Sequence, residues 1–181
     1  MALDKFTIGR RYANALFELA ESKQALDDTY QELLGIRQIF TENKDLGNVL
    51  TDMRLSLAEK KPIIDSLKQQ FSPLMQTFLQ MVFDYKRMND ILFMVDYFEA
   101  MYDKQNKIIR AEVTTAVALN AAQQEKLSAQ IAQRFGASHV QITSTVDPDI
   151  IGGVIVHASD KVIDGSIKTR LTRIKALLLN R

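Results

Sequence analysis

The chain has 181 residues, of which 46% are hydrophobic and 25% are charged, and its formal net charge is +1. These proportions are typical of a folded globular protein with one large domain or two small ones. A net charge so close to zero predicts no strong attraction of the whole molecule to nucleic acid or anionic lipid. The sequence contains no cysteine, which excludes disulfides and thiolate zinc sites, and its two histidines argue against a histidine-built metal site. We therefore expect neither a metal nor a cofactor.

The amino-terminal stretch 1–22 lacks the uninterrupted apolar core of a signal peptide, and it carries too many acids for a transit peptide. No stretch approaches the ~20 consecutive apolar residues that a membrane-spanning helix needs. We therefore expect a cytoplasmic protein that does not insert into a membrane and reaches one only through its partners.

The first part of the chain is predicted as a succession of helices joined by short connections. Ser56 and Glu59 form a capping-box pattern, whereas Pro62 predicts that the same helix either begins later or kinks. Ser72 followed by proline is a favourable helix start. Short connections favour antiparallel neighbours in a compact bundle. The predicted helices cover 6–21, 25–40, 45–50, 56–70, 72–87 and, after a cap at residue 89 or 90, a stretch ending near 106.

The hydrophobic pattern changes after residue 107, where apolar and polar residues begin to alternate as in a strand. A helix ending at Gly136 interrupts the strands, and glycine is the preferred residue just past a helix end. The predicted elements are strands at 109–114, 140–146, 154–157 and 161–163, with a tight turn at 158–160, and helices at 121–135 and 166–179. We therefore predict a mixed fold: an N-terminal all-α six-helix bundle, 1–106, followed by a small C-terminal α/β domain, 107–181.

The first and fifth helices are apolar over nearly ~200° of their circumference, although packing one face on a core requires only ~100°. One interpretation is that both helices are central in the bundle. The other is that each buries one flank and offers the second as the wall of a groove. Small Ala13 and flexible Met81 would suit an incoming amphipathic helix in such a groove. Periodicity alone leaves both interpretations open.

The last helix combines an apolar stripe with basic flanks. Its stripe consists of Ile167, Leu171, Ile174 and Leu178, and four cations lie off it: Lys168, Arg170, Arg173 and Lys175. Residues 1–107 carry 14 Lys and Arg against 16 Asp and Glu, whereas residues 108–181 carry 9 against 6. Such a helix could meet nucleic acid, lipid or an acidic protein, or simply face solvent. Nucleic acid is disfavoured because no aromatic residue is available for base stacking.

Glycines and capping residues stand between the last strands and this helix. Gly152 and Gly153 match neither a phosphate loop nor a dinucleotide fingerprint, so we expect them to permit the close approach of another element. Asp164, Gly165 and Ser166 read as a turn followed by a helix cap. Nothing in the spacing of His157, Asp164 and Ser166 sets up a nucleophile with an oriented base. We expect no catalytic residue and no enzyme activity.

Three motifs stand out in the sequence. The first is Y-A-x-A-L-F at 12–17, and the second is a basic–apolar–Asn element after the fifth helix, at 87–89. The third and most specific runs from Gly152 through Leu171, where G-G is followed by D-x-V-I-D-G-S and a leucine-containing helix. These motifs resemble those of the delta subunit of F-type ATP synthases, the bacterial relative of the mitochondrial oligomycin-sensitivity-conferring protein. The order of the two predicted domains and the total length also agree with that family.

The resemblance implies a non-catalytic stator subunit, present in one copy per complex at the cytoplasmic face of the bacterial membrane. It implies that the bundle holds the N-terminal helix of an alpha subunit between its first and fifth helices. It also implies that the C-terminal domain engages the C-terminal ends of the b-subunit peripheral stalk. The groove-wall residues carried over are Tyr12, Ala13, Leu16, Phe78, Met81, Val82 and Tyr85. On this view Ala13→Asp or Met81→Asp should leave the bundle folded and uncouple the catalytic head.

Two alternatives come from other classes of protein. The first is a free-standing regulatory adaptor or nucleic-acid-binding protein that uses the basic C-terminal helix, and a steep salt dependence of binding would support it. The second is a small α/β enzyme, which would need a cofactor pocket that the sequence does not reveal.

Overall fold

The computed structural model describes residues 5–158 and 160–179. It divides into two compact units, the first ending at Tyr102 and the second beginning at Asp103. The first is helical, and the second combines a four-stranded sheet with helices. The predicted fold class, a helical bundle followed by a small α/β domain, is confirmed.

Six α-helices and one 3-10 turn make up the helical part. Ser56 caps the fourth helix through a reciprocal capping box with Glu59, and the Ser72 hydroxyl accepts a hydrogen bond from the Met75 N–H at the start of the fifth. The elements are α1 (Lys5–Ser22), α2 (Leu26–Glu42), α3 (Leu46–Thr51), α4 (Leu57–Lys68), α5 (Pro73–Asp84), a 3-10 turn (Met88–Asp90) and α6 (Ile91–Asn106).

Helix α4 begins at Leu57, directly after its Ser56 cap, as the capping-box pattern predicts, and it keeps Pro62 in its interior. The end of α5 differs from the expected one. Helix α5 ends at Asp84 and not near residue 87, because Lys86 takes a left-handed conformation with φ 57°. The Arg87 N–H then bonds to the Val82 carbonyl at 2.9 Å, which closes a Schellman-type end without glycine.

Aromatic and aliphatic side chains form the bundle core, and ion pairs on the bundle surface join α2 to α6. The rings of Phe17 and Phe98 lie 5.2 Å apart, and Phe98 is fully buried. On the bundle surface, Arg37 of α2 forms ion pairs of 2.8 Å with Asp96 and with Glu99 of α6. The ring contact therefore joins α1 to α6, and the ion pairs join α2 to α6.

The second unit combines four strands with two helices. Its elements are β1 (Ile108–Thr115), α7 (Ala121–Phe135), β2 (His139–Val146), a 3-10 turn (Pro148–Ile150), β3 (Val154–Ala158), β4 (Lys161–Asp164) and α8 (Ile167–Leu179). The strands form one sheet in the order β2-β1-β3-β4. Strands β1 and β2 are parallel and are joined through α7, whereas β1–β3 and β3–β4 pair antiparallel. One face of the sheet packs on Ile131 of α7. The predicted turn at 158–160 includes Ser159, which lies outside the described residues.

Candidate partner-binding surfaces

The seven residues carried over as groove walls separate into two groups. Four of them belong to the hydrophobic core of the bundle: Ala13, Leu16, Phe78 and Val82. The first interpretation of the wide apolar arcs therefore applies to these four, because their side chains are buried in the core cluster. The expectation that Ala13→Asp leaves the bundle folded needs correction, since Ala13 has no exposed surface.

The other three residues, Tyr12, Met81 and Tyr85, are accessible. Tyr12 and Met81 are half-buried, and Tyr85 is 67% exposed just after α5. Burial raises the pKa of Tyr12, the nearby Tyr85 hydroxyl raises it further, and the Arg87 guanidinium lowers it. Tyr12 of α1 and Met81 of α5 both pack against the core cluster of the bundle.

A shallow groove of about 420 Å³ adjoins this surface, but α4 and α5 form it, not α1. The Lys68 ammonium donates to the Gln80 side-chain oxygen at 2.6 Å, and the Gln80 amide donates to Asp84 at 2.7 Å. Met81 and Tyr85 supply its apolar portion. The α4 side was missed because residues 56–70 carry no pattern beyond that of a generic helix. The groove is lined by Lys68, Gln76, Thr77, Gln80, Met81, Asp84 and Tyr85.

The basic–apolar–Asn element at 87–89 closes the corner between α3 and α6. Met88 is fully buried, and the Arg87 guanidinium lies 3.6 Å from the buried carboxylate of Asp90. A Cβ added to Gly47 of α3 would lie 3.2 Å from the Met88 carbonyl oxygen and 2.7 Å from the Asn89 side-chain oxygen. This element therefore has a packing role in the structure.

In the second unit, the two adjacent glycines lie where α8 begins. Gly153 has φ 80°, and a Cβ on it would overlap the carbonyl oxygen of Gly165. The Gly152 carbonyl accepts a hydrogen bond from the Ile167 N–H at 2.9 Å. The Gly165 N–H in turn donates to the Val154 carbonyl at 2.9 Å. The glycines therefore allow the start of β3 and the start of α8 to meet backbone to backbone.

Asp164 and Ser166 cap helix α8. The Ser166 N–H and the Thr169 hydroxyl donate to the two carboxylate oxygens of Asp164 at 2.8 and 2.7 Å. The Ser166 hydroxyl accepts from the Thr169 N–H at 3.2 Å. The hydrogen bond from the Ser166 N–H, followed by that from Thr169, lowers the pKa of Asp164 below its ordinary value of 3.8. The cap therefore favours the ionised carboxylate.

We expect the start of α8 to loosen in acid. Because the folded-state pKa of Asp164 is lowered, the contribution of this carboxylate is fully present above about pH 4 and is lost as pH falls through the folded pKa. A carboxyl carbon titration by NMR should place the Asp164 pKa below 3.8, and the Thr169 amide should lose protection over the same range. Asp164→Asn should remove this pH dependence. An Asp164 pKa at or above 3.8 would contradict the assignment.

Helix α8 exposes its apolar stripe. The four stripe residues are between 42% and 71% exposed, and no residue of Ile167–Leu179 is buried. Its four cations and the absence of acids give this helix the only strongly one-signed charge among the described helices. This surface is the second candidate for contact with a partner.

Within residues 5–158 and 160–179, no group of three His, Cys, Asp or Glu side chains is arranged to hold a metal ion. Over the same described part of the chain, no helix combines the length and apolarity needed to cross a bilayer.

The chain is thus a two-unit protein, a helical bundle followed by a small α/β unit, with a candidate partner-binding surface on each. The family model for the ATP synthase delta (OSCP) subunit matches residues 8–178. The chain is 46% identical over 179 residues to the ATP synthase subunit delta of Limosilactobacillus reuteri and to that of Latilactobacillus sakei. Each match covers 99% of this chain and 99% of the relative. It is 43% identical over 175 residues to that of Enterococcus hirae, covering 97% of both. The chain belongs to the ATP synthase delta (OSCP) subunit family.

The fold also matches a chain in the cryo-EM structure of the Toxoplasma gondii mitochondrial ATP synthase hexamer. The TM-score is 0.70, the identity is 24%, and the match covers 94% of this chain and 97% of that one. At this identity the likeness concerns the fold, and it extends over both units.

Proposed function

We propose that the chain is the non-catalytic stator subunit of a bacterial F-type ATP synthase, linking the catalytic head to the peripheral stalk. The observation that carries the proposal is the family match over residues 8–178, together with full-length relatives named ATP synthase subunit delta. One copy per complex would lie at the cytoplasmic face of the cell membrane and associate with it only through the complex.

The bundle would hold the N-terminal helix of an alpha subunit. Tyr12, Met81 and Tyr85 are the accessible members of the carried-over groove, and they combine apolar area with hydroxyl groups that can hydrogen-bond at its edge. An amphipathic helix laid against such a surface buries apolar side chains, whereas exposed ion pairs contribute only ~0–1 kcal/mol each. An apolar contact therefore suits a joint that is loaded on every turn of the rotor.

The second unit would engage the C-terminal ends of the b subunits. Rotation of the central shaft would otherwise drag the catalytic head around with it. A joint with one binding surface on each unit lets a single chain tie the head to the stalk. The torque then changes the conformation of the nucleotide sites.

The bundle contact is tested by a matched pair of substitutions. We expect Met81→Asp to weaken binding of a synthetic peptide of the same organism's alpha-subunit N-terminus at least tenfold, or about 1.4 kcal/mol, because it places a charge in an apolar contact. Met53→Asp is the control, since Met53 is 83% exposed in the same unit but lies outside the proposed surface. Calorimetry with the full chain measures both, and thermal melting checks that both remain folded.

The same two variants test whether the contact couples ATP hydrolysis to proton pumping in reconstituted complexes. With Met81→Asp, ATP hydrolysis should persist while ATP-driven proton pumping falls, whereas Met53→Asp should leave both unchanged. Equal binding and equal pumping by the two variants would show that Met81 is not part of the proposed contact. If the folded wild-type chain did not bind the peptide, the bundle would not be the binding site for the alpha subunit.

A further inference from the structure

Helix α8 carries an apolar seam with the spacing of a coiled coil. Ile167, Leu171, Ile174 and Leu178 follow one another at intervals of four, three and four residues, which are the d and a positions of two heptads. At 100° per residue these side chains fall within about 60° of the helix circumference. Leu177 and Leu179 are also exposed and widen the apolar face in the last turn, so the a and d repeat is the feature of α8 that favours pairing with another helix.

Three of the four cations of α8 lie beside the seam. In the same heptad register, Lys168 and Lys175 occupy e positions and Arg170 occupies a g position. These are the positions whose charges select the partner in a helix pair. The side opposite the seam carries Thr169, Thr172, Ala176 and the remaining cation, Arg173. Most of the charge of α8 therefore lies where it would flank a partner helix.

The apolar surface continues beyond the first turn of α8. Strands β1 and β2 end, and β3 begins, at the same end of the sheet as the start of α8. Val117, Val146 and Ile151 are all at least half exposed at this end of the sheet. The hydrogen bond from the Ile167 N–H to the Gly152 carbonyl joins this patch to the first residue of the seam. A partner helix longer than α8 would thus meet further apolar side chains.

We propose that α8 pairs with an acidic amphipathic helix of a partner protein. The partner would place its own apolar a and d residues along the seam and Glu or Asp beside Lys168, Arg170 and Lys175. The proposal rests on the proposed function, in which the second unit engages the b-subunit ends, and it adds the chemistry that such a segment must have.

Other occupants fit these observations less well. A second copy of α8 would bring cations against cations at the e and g positions, which opposes pairing. A lipid surface favours a helix with interfacial aromatic residues, and α8 contains none. The same lack of aromatic residues removes the stacking that single-stranded nucleic acid would use.

Two synthetic peptides test the pairing with the full chain. Both have three heptads with Leu at every a and d position, and one carries Glu at every e and g position where the other carries Lys. We expect the Glu peptide to bind one-to-one at low salt, at least tenfold more tightly than the Lys peptide. Its binding should weaken as salt is added, because exposed charges are screened. Calorimetry measures the affinities, and circular dichroism measures the gain in helix.

Substitutions in the chain sharpen the test. Leu171→Asp should reduce binding of the Glu peptide at least tenfold, while Leu57→Asp, which changes an exposed leucine of the bundle, should not. The double variant Arg170→Glu with Lys175→Glu should reverse the preference and bind the Lys peptide more tightly. Arg170, Leu171 and Lys175 are all exposed, so the second unit should stay folded, and NMR of the α8 amides checks that the helix remains.

Several results would overturn the pairing. These are equal binding of the two peptides, no binding of either by a chain whose α8 is helical, or binding of the Glu peptide that survives Leu171→Asp. Binding to phosphatidylglycerol vesicles or to a second copy, lost in Leu171→Asp without any peptide binding, would assign the seam to that occupant instead. The designed peptides contain no ATP synthase sequence, so a failure of these peptides to bind would not contradict the proposed stator role. That role is tested separately by the alpha-subunit peptide and by proton pumping, and a negative result there would not contradict the pairing of α8.

Discussion

Gly153→Ala is expected to unfold the second unit while the bundle remains folded. A Cβ at this position would overlap the Gly165 carbonyl oxygen and lie 3.1 and 3.2 Å from the Gly165 carbonyl carbon and the Ser166 Cα. All three atoms are backbone, so no rotamer change relieves the overlap. The positive φ adds ~1–2 kcal/mol of strain for any residue with a side chain. We expect a loss above about 3 kcal/mol, at the upper end of the usual range for single substitutions.

Two other glycines separate the causes of this effect. Gly136 also has a positive φ, but nothing lies within 4 Å of an added Cβ, so Gly136→Ala should show the strain alone. Gly152→Ala would meet only the flexible end of the Ile167 side chain at 2.8 Å, and it should cost less than Gly153→Ala. Hydrogen exchange of β1–β4 peptides against α2 and α6 peptides measures each unit in the full chain. Equal losses for Gly153→Ala and Gly136→Ala would show that the backbone contact is unimportant.

Ala13→Asp is expected to unfold the bundle. Ala13 has no exposed surface and lies within the core cluster, so the new carboxyl group would have neither room nor water. Even a neutral polar group left without hydrogen bonds in such a place costs roughly 2–7 kcal/mol, and an ionised one costs far more. This is comparable with the ~5–15 kcal/mol of total stability that a domain possesses.

The control is the same substitution two residues along the same helix. Ala15 is exposed, so Ala15→Asp should change the melting of the bundle little. Circular dichroism melting of the full chain, with exchange of α2 and α6 peptides as the local readout, compares the two variants. A cooperative bundle transition retained by Ala13→Asp would mean that α1 can rotate its flank outward, and it would restore Ala13 to the proposed partner surface.

The sequence was most informative where function or folding depends on neighbouring residues in the chain. The capping box of Ser56 and Glu59 and the proline start of α5 were predicted because each depends on atoms within one turn. The change from helical to alternating periodicity after residue 107 likewise gave the fold class. The end of α5 was missed because a left-handed Lys86 takes the place that glycine usually occupies, and lysine carries no such signal.

The partner surface was harder to predict for a different reason. A helical wheel shows how much of a helix is apolar, but it does not show how many neighbours surround that helix. Leu16 and Val82 therefore looked equivalent to Tyr12 and Met81, although the first two are core residues and the second two reach solvent. The groove contributed by α4 depends on side chains that meet only when α4 and α5 pack. No pattern within either segment contains that information.

The exposure of α8 has a consequence for how this chain can evolve. Its seam contributes no buried residue to the second unit, whose core is built around Val113, Ile131 and Val156. Mutations along the seam can therefore drift with those of a partner while the sheet stays folded. In the bundle, α1 and α5 carry core and surface residues on adjacent turns. A substitution in either helix can therefore affect both the stability of the bundle and its proposed contact with the alpha subunit. The bundle helices α1 and α5 and the C-terminal helix α8 should consequently diversify at different rates, with α8 the freer to change.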